Sequence, residues 1–288
     1  HAVKQAAPYL PDTGKTLVLY ADVPLISTAS LNKLIKSAQR KKISILTSKI
    51  TKPKGYGRII RNEKMNPTNI REEADASTQE KTINEIFTGI MIADNEFLKN
   101  GLKGLVRNNK AGEYYLTDLV EYASKRKLPI GSTEAKELEV FGANNKKELE
   151  GLYNAMVALN IDAAKKKGTF FKDTSTCYVE GVLKVGKDVS IGNNVTIKGN
   201  VVLGNDVSIG SNVVLSNTKI GSNSTIKEFC SIEDSKIAEN VEVGPFARLR
   251  NGAVLDSSAK IGNFVEVKKS RIGQNTKATI MLTLETPI

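Results

Sequence analysis

Length, composition and charge exclude several classes of protein. A chain of 288 residues is long enough for two domains and a sizeable core. Its two cysteines, Cys177 and Cys230, are too few and too far apart for a disulfide framework or a zinc site, which favours a reducing, cytoplasmic location. The longest apolar stretch, residues 17–26, is interrupted by Asp22 and is too short to cross a bilayer, and no signal-peptide pattern opens the chain.

The formal net charge of +11 is unevenly distributed. Residues 31–60 contain nine Lys or Arg and no acidic residue. Such a segment could attract phosphorylated substrates or nucleic acid. Because neither interleaved aromatic residues nor an RNA-binding motif accompanies it, a solvated lysine-rich surface is the simpler interpretation. We expect no nucleic-acid partner and no membrane.

The first half of the chain predicts alternating strands and helices. Residues 16–20 are predicted as a buried strand, with Asp22 just past its carboxyl end. Thr28 is predicted to cap a helix with apolar residues at helical spacing, and residues 43–47 form the next strand. Strand, helix and strand in this order favour a parallel α/β sheet, whose ligands bind at the carboxyl ends of strands. Asp22 is therefore a candidate site residue, although an Asp after a strand is often only a turn residue.

Residues 145–167 predict one long amphipathic helix. Apolar side chains recur at helical spacing from Leu149 to Ala163, with charged residues opposite and Gly168 as a stop. We expect this helix, at 145–168, to link a first domain at 1–144 to a second at 169–288. A helix that binds a partner is the alternative.

From Val185 to Ile272 an aliphatic residue returns every sixth position, with a few five-residue steps, and glycine often follows it. The positions are Val185, Ile191, Ile197, Leu203, Ile209, Leu215, Ile220, Ile226, Ile232, Ile237, Val243, Leu249, Leu255, Ile261, Val267 and Ile272. This hexapeptide period is typical of a parallel β-helix, in which three short strands make one triangular coil and the aliphatic residues stack inward. We expect the coils to wind left-handed, against the usual crossover rule. The glycines are expected at turns that need unusual backbone angles.

The short steps carry further information. They run from Leu215 to Ile220, from Ile232 to Ile237 and from Val267 to Ile272. Counted at three steps per coil, all three fall on the same face of the prism. An ordinary antiparallel domain would instead need alternating polar and apolar residues with hairpin turns at irregular spacing, and is much less favoured.

Six segments, taken in order, resemble a known bacterial enzyme family. They are residues 17–26, 55–59, 112–118, 142–145, 244–250 and 262–269. The chain is similar over nearly its whole length to the bifunctional N-acetylglucosamine-1-phosphate uridyltransferases/glucosamine-1-phosphate N-acetyltransferases. The resemblance implies a partial Rossmann-like (GT-A type) nucleotidyltransferase domain, followed by a left-handed parallel β-helix that packs into a homotrimer.

The resemblance also implies two reactions. In the family, the β-helix domain transfers an acetyl group from acetyl-CoA to glucosamine 1-phosphate. The α/β domain then joins the product to the uridylyl group of UTP, which gives UDP-N-acetylglucosamine for the cell wall. Mg²⁺ is the implied cofactor, because positioning and charge neutralisation dominate phosphoryl chemistry.

Site residues follow from the matching positions. Asp22 and Asn144 match the metal ligands, and Tyr20 and Ala21 align with the loop that contacts the nucleotide sugar, where Ala21 replaces the usual Gly. Gly57 and Glu72 match positions that contact the substrate sugar. Arg250 and Lys268 match the positions that hold the sugar phosphate, and two cations beside core aliphatics are reasonable phosphate clamps. Without the flanking motifs, both would be interpreted as surface charge.

Several positions depart from the family. Phe87 stands where the family usually carries a substrate-contacting Asn. The glycine-rich nucleotide loop is missing, and neither the catalytic His nor the following Tyr is found after residues 277–278, so no catalytic residue is assigned. The single histidine is His1, and a general base of this kind contributes about 10²–10⁴-fold. We therefore expect an internal fragment that is impaired in both reactions, with residues 279–288 in a shifted reading frame.

Two other interpretations stay open. One is another sugar-1-phosphate nucleotidyltransferase with an appended β-helix, making ADP-, GDP- or dTDP-sugars. The other is a non-catalytic module in which the β-helix only drives trimer assembly.

Overall fold

A computed structural model describes residues 2–107 and 109–279 and divides the chain into two compact units, residues 1–152 and 153–288. His1 and the last nine residues of the expected shifted frame lie outside the described residues. The helices of the first unit are α1 (Ala2–Ala6), α2 (Thr28–Ser37), α3 (Asn95–Lys103) and α4 (Asp118–Lys125), and α5 (Lys146–Lys165) begins there and continues into the second unit. The strands of the first unit are β1 (Lys15–Val18), β2 (Ile43–Lys49), β3 (Arg58–Arg61), β4 (Pro67–Arg71), β5 (Glu85–Asp94) and β6 (Ile130–Glu134). Short 3₁₀ turns lie at Ala7–Tyr9, Glu80–Thr82, Glu137–Val140 and Thr174–Thr176.

The sheet of the first unit is mixed rather than parallel. Its order is β4-β3-β5-β2-β6, and β1 also pairs with β5. Only β2 and β6 run parallel, whereas β1 and β2 both pair antiparallel with β5. The predicted parallel neighbours, β1 and β2, are therefore separated by β5. β5, with ten residues, pairs with three other strands, β1, β2 and β3.

Both faces of this sheet are buried. Successive residues of β2 and β5 alternate between two apolar clusters, as the period of a strand requires. One cluster contains Leu34 of α2, and the other contains Leu98 of α3 and Leu119 of α4. The result is a three-layer α/β/α arrangement.

Two predicted elements of this unit are observed with small shifts. The helix predicted to start at Thr28 is capped instead by Ser27, whose side chain accepts a hydrogen bond from the Ser30 amide at 3.1 Å. A cap residue sits outside the helix in extended conformation, and Ser27 has that geometry. The strand predicted at 16–20 ends at Val18, so that Asp22 lies in a turn.

The long helix predicted at 145–167 is observed as α5. Its second half carries Val157, Ile161 and Ala164, which lie in the same buried cluster as the apolar side chains of the second unit. Tyr153 donates a hydrogen bond to Glu180 at 2.5 Å, and this bond raises the pKa of Tyr153 to about 12. The domain boundaries remain predictions.

The second unit is a parallel β-helix, as the hexapeptide period predicted. Its strands form three parallel sheets, which we call faces 1, 2 and 3. Face 1 contains the first parts of Tyr178–Val185 and Thr196–Leu203, then Val214–Ser216, Ser231–Glu233, Arg248–Arg250 and Glu266–Lys268. Face 2 contains the later parts of the same two long strands, then Lys219–Ile220, Lys236–Ile237, Val254–Leu255 and Arg271–Ile272. Face 3 contains Phe170–Phe171, Ser190–Ile191, Ser208–Ile209, Thr225–Ile226, Glu242–Val243, Lys260–Ile261 and Lys277–Ala278. The handedness of the coils remains a prediction.

The position of the short steps is confirmed. Leu215 pairs with Ile232, Ile232 with Leu249, and Leu249 with Val267, so the three five-residue steps all leave face 1. All three lead to face 2, and they therefore shorten a single corner of the prism.

The expected reason for the glycines is wrong at most positions. The residues with positive φ are mainly Asn and Asp two places later, such as Asn194 and Asn212 at φ 54° and 59°. The glycines are required because the coils stack closely. A Cβ on Gly210 would lie 2.7 Å from the backbone nitrogen of Glu228 in the next coil, which is too close for any side chain.

Two remaining expectations concern cysteines and membranes. Cys177 and Cys230 are both buried and unpaired, and burial raises the pKa of both thiols. Among the described helices, none combines the length and the apolar character that crossing a bilayer demands.

The stacked core gives a stability prediction. Ile226 is fully buried on face 3 between Ile209 and Val243, and its truncation leaves a cavity that the rigid coils cannot close. We expect Ile226→Ala to lower the free energy of unfolding by about 3 kcal/mol in urea denaturation followed by circular dichroism. Val182→Ala, at an exposed position of the same β-helix, is the control and should stay near the parent value. Equal urea midpoints of unfolding for Ile226→Ala and Val182→Ala would contradict the prediction that Ile226 belongs to a tightly stacked core.

Candidate functional site

Two predicted ligands that are distant in sequence come together in the first unit. Asp22 lies in the turn after β1, and its backbone carbonyl accepts a hydrogen bond from the Ala143 amide at 3.2 Å. A Cβ on Gly142 would lie 3.2 Å from that carbonyl and 3.7 Å from Oδ2 of Asp22. Glycine at 142 thus allows the segment that carries Asn144 to approach Asp22 closely.

Asn144 is oriented by the start of α5. Its backbone amide donates to Glu148 at 2.7 Å, and its side-chain amide nitrogen lies 3.4 Å from the same carboxylate oxygen. Asn145 caps the helix by accepting from the Glu148 amide at 3.0 Å. The backbone hydrogen bond from Asn144 is the main reason why the pKa of Glu148 is lowered. The amide nitrogen of Asn144 is thus directed to Glu148, and among residues 2–107 and 109–279 no hydrogen bond reaches its side-chain oxygen.

The donor set suits a hard divalent cation. Asp22 offers a carboxylate and Asn144 an amide oxygen, and Mg²⁺ is commonly held by one or two such oxygens, with water and phosphate oxygens completing the octahedron. Groups of three or more His, Cys, Asp or Glu side chains that could hold a metal are absent from residues 2–107 and 109–279. A cation at Asp22 would therefore depend on substrate phosphates for its remaining ligands.

Tyr20 lies two residues before Asp22 and packs on Gly89. Its ring covers Gly89, where a Cβ would lie 2.4 Å from the ring. Burial raises the pKa of Tyr20, and the carboxylates of Glu72 and Asp22 raise it further. Its neighbour Ala21 lies in the exposed turn next to Asp22.

Gly57 and Glu72 also lie side by side. A Cβ on Gly57 would lie 3.3 Å from Oε2 of Glu72 and 2.8 Å from Ile70. Glu72 is largely withdrawn from solvent, and this desolvation raises its pKa, while a hydrogen bond from Thr117 lowers it in part. Thr117 Oγ1 donates to Oε1 of Glu72 at 2.8 Å, which leaves Oε2 beside the space above Gly57.

Phe87 contributes its backbone but not its side chain. Its amide donates to the Gly57 carbonyl at 2.8 Å, and its ring is 6% exposed within the apolar cluster that also contains Ile59 and Ile70. The ring offers no hydrogen bond where the family usually has Asn.

A cavity of about 560 Å³ borders Glu72. Its lining includes Arg71, Asp75, Tyr115 and Asp118, and it includes none of the other predicted site residues. Burial raises the pKa of Asp118.

The second unit places Arg250 and Lys268 directly opposite each other on adjacent strands of face 1. The guanidinium of Arg250 donates to the Glu266 carboxylate, and Arg248 lies 4.0 Å from the same group. The hydrogen bond from Arg250 is the main cause of the lowered pKa of Glu266. The two cations thus form a pair that is partly neutralised by one carboxylate.

Sequence reasoning missed two residues of the first unit. Thr117 lies within the matched segment 112–118 but was given no role, because its contact with Glu72 joins residues 45 positions apart. Glu148 could have been found, since Asn145 followed three residues later by Glu is the capping-box spacing.

The fold consists of a three-layer α/β unit followed by a hexapeptide β-helix. A family model described as the GMPPB C-terminal domain matches residues 175–283. The chain is 42% identical over 280 residues to the bifunctional protein GlmU of Idiomarina loihiensis. This alignment covers 97% of this chain and 61% of that protein. It is also 42% identical over 279 residues to the bifunctional protein GlmU of Nitrosomonas europaea, covering 96% and 61%. The predicted resemblance is thereby confirmed along nearly the whole chain, which spans about 61% of the length of these curated relatives.

A solved structure from Bacillus anthracis, assigned as a glucose-1-phosphate thymidylyltransferase, aligns with 54% of this chain and 58% of that chain. The identity is 19% and the TM-score is 0.40.

The contact between Thr117 and Glu72 gives a prediction about pH. Because the hydroxyl donor lowers the pKa of Glu72, Thr117→Val should raise that pKa further, and the carboxylate should become protonated at a higher pH. The midpoint can be measured by carbon NMR of the labelled glutamate carboxyl. Thr117→Ser keeps the hydroxyl and should retain the parent midpoint. A valine variant with the parent midpoint would show that this hydrogen bond does not control the ionisation of Glu72.

Proposed function

We propose that the chain takes part in the synthesis of UDP-N-acetylglucosamine through two transferase sites, one in each unit. The observation that carries the proposal is the 42% identity to bifunctional GlmU proteins across both units. The juxtaposition of Asp22 with residues 142–144 and of Gly57 with Glu72 supports it, because both pairs join residues that the resemblance assigned to one site.

In the first unit, the reaction is the attack of a phosphate oxygen of N-acetylglucosamine 1-phosphate on the α-phosphorus of UTP. A new P–O bond forms, the bond between the α- and β-phosphates breaks, and pyrophosphate leaves. Asp22 and Asn144 would hold Mg²⁺, which supplies charge neutralisation on the phosphates. Oε2 of Glu72 accepts a hydrogen bond from a sugar hydroxyl. The absence of a side chain at Gly57 leaves room for the sugar ring. Tyr20 and Ala21 lie against the nucleotide.

In the second unit, the amine of glucosamine 1-phosphate attacks the thioester carbonyl of acetyl-CoA, a base takes the proton that the amine gives up, and the CoA thiolate leaves. Because the sequence has no histidine after His1 to act as the usual base, we expect this chain to be impaired in acetyl transfer. Arg250 and Lys268 hold the sugar phosphate. A bidentate guanidinium and a mobile ammonium are complementary means of binding a phosphate. Binding requires Arg250 to exchange Glu266 for the phosphate, or to contact both.

We further propose that the chain assembles as a homotrimer through its β-helix. Flat faces of identical prisms can bury against each other, and most soluble homo-oligomers close by symmetry.

Asp22 provides the main test of the first site. UDP-N-acetylglucosamine with Mg²⁺ should protect the first unit against thermal unfolding, and Asp22→Ala should weaken the affinity by at least about tenfold. Asp12→Ala removes a fully exposed carboxylate of the same unit and serves as the control. Equal affinities in the two variants would contradict the metal assignment.

The choice of nucleotide separates this proposal from its alternative. Other sugar nucleotides are tested in parallel, because the sequence leaves open a nucleotidyltransferase that makes ADP-, GDP- or dTDP-sugars. Protection by UDP-N-acetylglucosamine, but not by ADP-, GDP- or dTDP-sugars, is the expected result. Tighter binding of an ADP-, GDP- or dTDP-sugar would show that the first unit acts on that class of sugar nucleotide instead.

Arg250 and Lys268 can be tested by binding alone. Calorimetric titration with glucosamine 1-phosphate should show a several-fold loss of affinity in Arg250→Ala and in Lys268→Ala, because each removes one charged phosphate contact. Lys236→Ala, on face 2 of the same β-helix, is the control. If these variants lose no more affinity than Lys236→Ala, Arg250 and Lys268 are surface charges that do not bind the phosphate.

A further inference from the structure

An ion pair with a fully buried arginine lies next to the pair of Gly57 and Glu72. Arg58 directly follows Gly57 and is 1% exposed, and Glu73 directly follows Glu72. Nη2 of Arg58 donates to Oε2 of Glu73 at 2.7 Å. Because successive side chains of a strand point to opposite sides, the guanidinium of Arg58 leaves the space above Gly57 open. The ion pair therefore borders the candidate sugar site without entering it.

The ion pair closes the turn that leads into β3. Oε2 of Glu73 also accepts a hydrogen bond from the Gly55 amide at 3.2 Å, and Nη1 of Arg58 donates to the Tyr56 carbonyl. One carboxylate oxygen is thus bound by both ends of residues 55–58. Since Glu73 itself lies in the turn after β4, it holds the two turns together. The hydrogen bond from Arg58 is also the main reason why the pKa of Glu73 is lowered.

The two turns carry Gly57 and Glu72 on directly opposite positions. β3 and β4 run antiparallel with Arg58 opposite Arg71, and one further step of this register brings Gly57 opposite Glu72. Opposite residues of an antiparallel pair have their side chains on the same side. On its other side, Gly57 is fixed by its carbonyl, which accepts from the Phe87 amide at 2.8 Å. The turn that the ion pair closes therefore determines how far Gly57 stands from the carboxylate of Glu72.

Stability alone does not account for the burial of Arg58. Its Nε is buried and has no hydrogen-bond partner among the described residues. A buried donor without a partner costs free energy, and apolar residues in place of a buried ion pair are often neutral or stabilising. A buried arginine with an unsatisfied nitrogen is thus better explained by the geometry that it imposes on the turn.

A second ion pair on β3 lacks this connection to the turns. Arg61 donates from Nε and Nη2 to the two carboxylate oxygens of Glu85 at 2.8 and 2.5 Å. Both side chains are largely buried, and the remaining described hydrogen bonds of Arg61 reach Met65 and Ser132. This pair stabilises the sheet but does not touch residues 55–57 or 72–73. It is therefore a matched control for the first pair.

We propose that Arg58 and Glu73 are positioning residues that set the spacing between Gly57 and Glu72 and thereby the recognition of the sugar. The inference rests on the proposed function of the first unit and adds two residues that do not touch the substrate. Loss of the ion pair lets the turn relax, which weakens the hydrogen bond from the sugar hydroxyl to Glu72. Contacts to the nucleotide and its phosphates lie elsewhere and are kept.

The test compares a ligand that has the sugar with one that lacks it. Glu73→Gln keeps the size of the side chain and an oxygen for the Gly55 amide, but it removes the charge that faces Arg58. The variant and the parent are titrated calorimetrically with UDP-N-acetylglucosamine and with UDP, both in the presence of Mg²⁺. We expect the affinity for UDP-N-acetylglucosamine to fall about tenfold, as for the loss of one hydrogen bond, and the affinity for UDP to stay at the parent value.

Glu85→Gln is the matched control, because it removes the charge from the other ion pair of β3. It should lower the melting temperature but leave the ratio of the two affinities unchanged. General destabilisation weakens both ligands alike, so this ratio distinguishes positioning from folding. The inference is overturned if Glu73→Gln keeps the parent ratio, whether both affinities are retained or both fall equally.

Failure of the proposed function would give a different result. A parent chain that binds neither ligand would overturn that function, and the role of the ion pair is then decided without ligand. Hydrogen exchange of the Gly55 and Phe87 amides reports whether the turn is held. Faster exchange of both amides in Glu73→Gln than in Glu85→Gln supports the positioning of Gly57 by the ion pair, and equal rates in the two variants contradict it.

Discussion

The structure of the second unit depends on one constraint, the backbone hydrogen bonds that join each coil to the next. These bonds are made by nearly every strand residue, for example between Thr225 and the Val241 carbonyl at 2.8 Å, and they fix the spacing between coils. At that spacing every side chain faces its equivalents above and below. Apolar residues then form a continuous core, glycine is forced wherever a Cβ would meet the next coil, and asparagine ladders form at the corners. The stacked rings of Phe229, Phe246 and Phe264 and the pair of Arg250 and Lys268 result from the same stacking.

In the first unit, the corresponding constraint is close approach at glycine. The segment with Asn144 reaches Asp22 because Gly142 has no side chain, and the ring of Tyr20 covers Gly89 for the same reason. Gly57 leaves space beside Glu72. The candidate site is therefore assembled from loops whose approach depends on the absence of Cβ atoms, while the buried strands β2 and β5 provide the rigid support.

The period of six predicted the β-helix, and the five-residue steps located one of its corners, because spacing in a repeat maps directly onto geometry. The sequence did not show why glycine follows the aliphatic residues, since the clash at Gly210 involves an atom of the next coil. It also did not show that β5 separates β1 from β2, because strand order depends on long-range pairing. Asp22 was a candidate because it follows a predicted strand, whereas Tyr20, Gly57, Glu72 and Asn144 could be named only through the family resemblance. Thr117 needed coordinates, because its significance lies in its contact with Glu72.

The charges on face 1 show how far electrostatics alone can identify a site. Arg250 and Lys268 are like charges on directly opposite residues, an arrangement that is unfavourable unless an anion lies between them. Lys219 and Lys236 on face 2 are arranged in the same way, and the described residues provide neither with an ion pair, so an exposed surface tolerates this repulsion. What distinguishes Arg250 is that its side chain is only 26% exposed and is held by Glu266. A fixed guanidinium loses little conformational entropy when a phosphate binds, and this preorganisation, rather than the charge itself, favours Arg250 as an anion-binding residue.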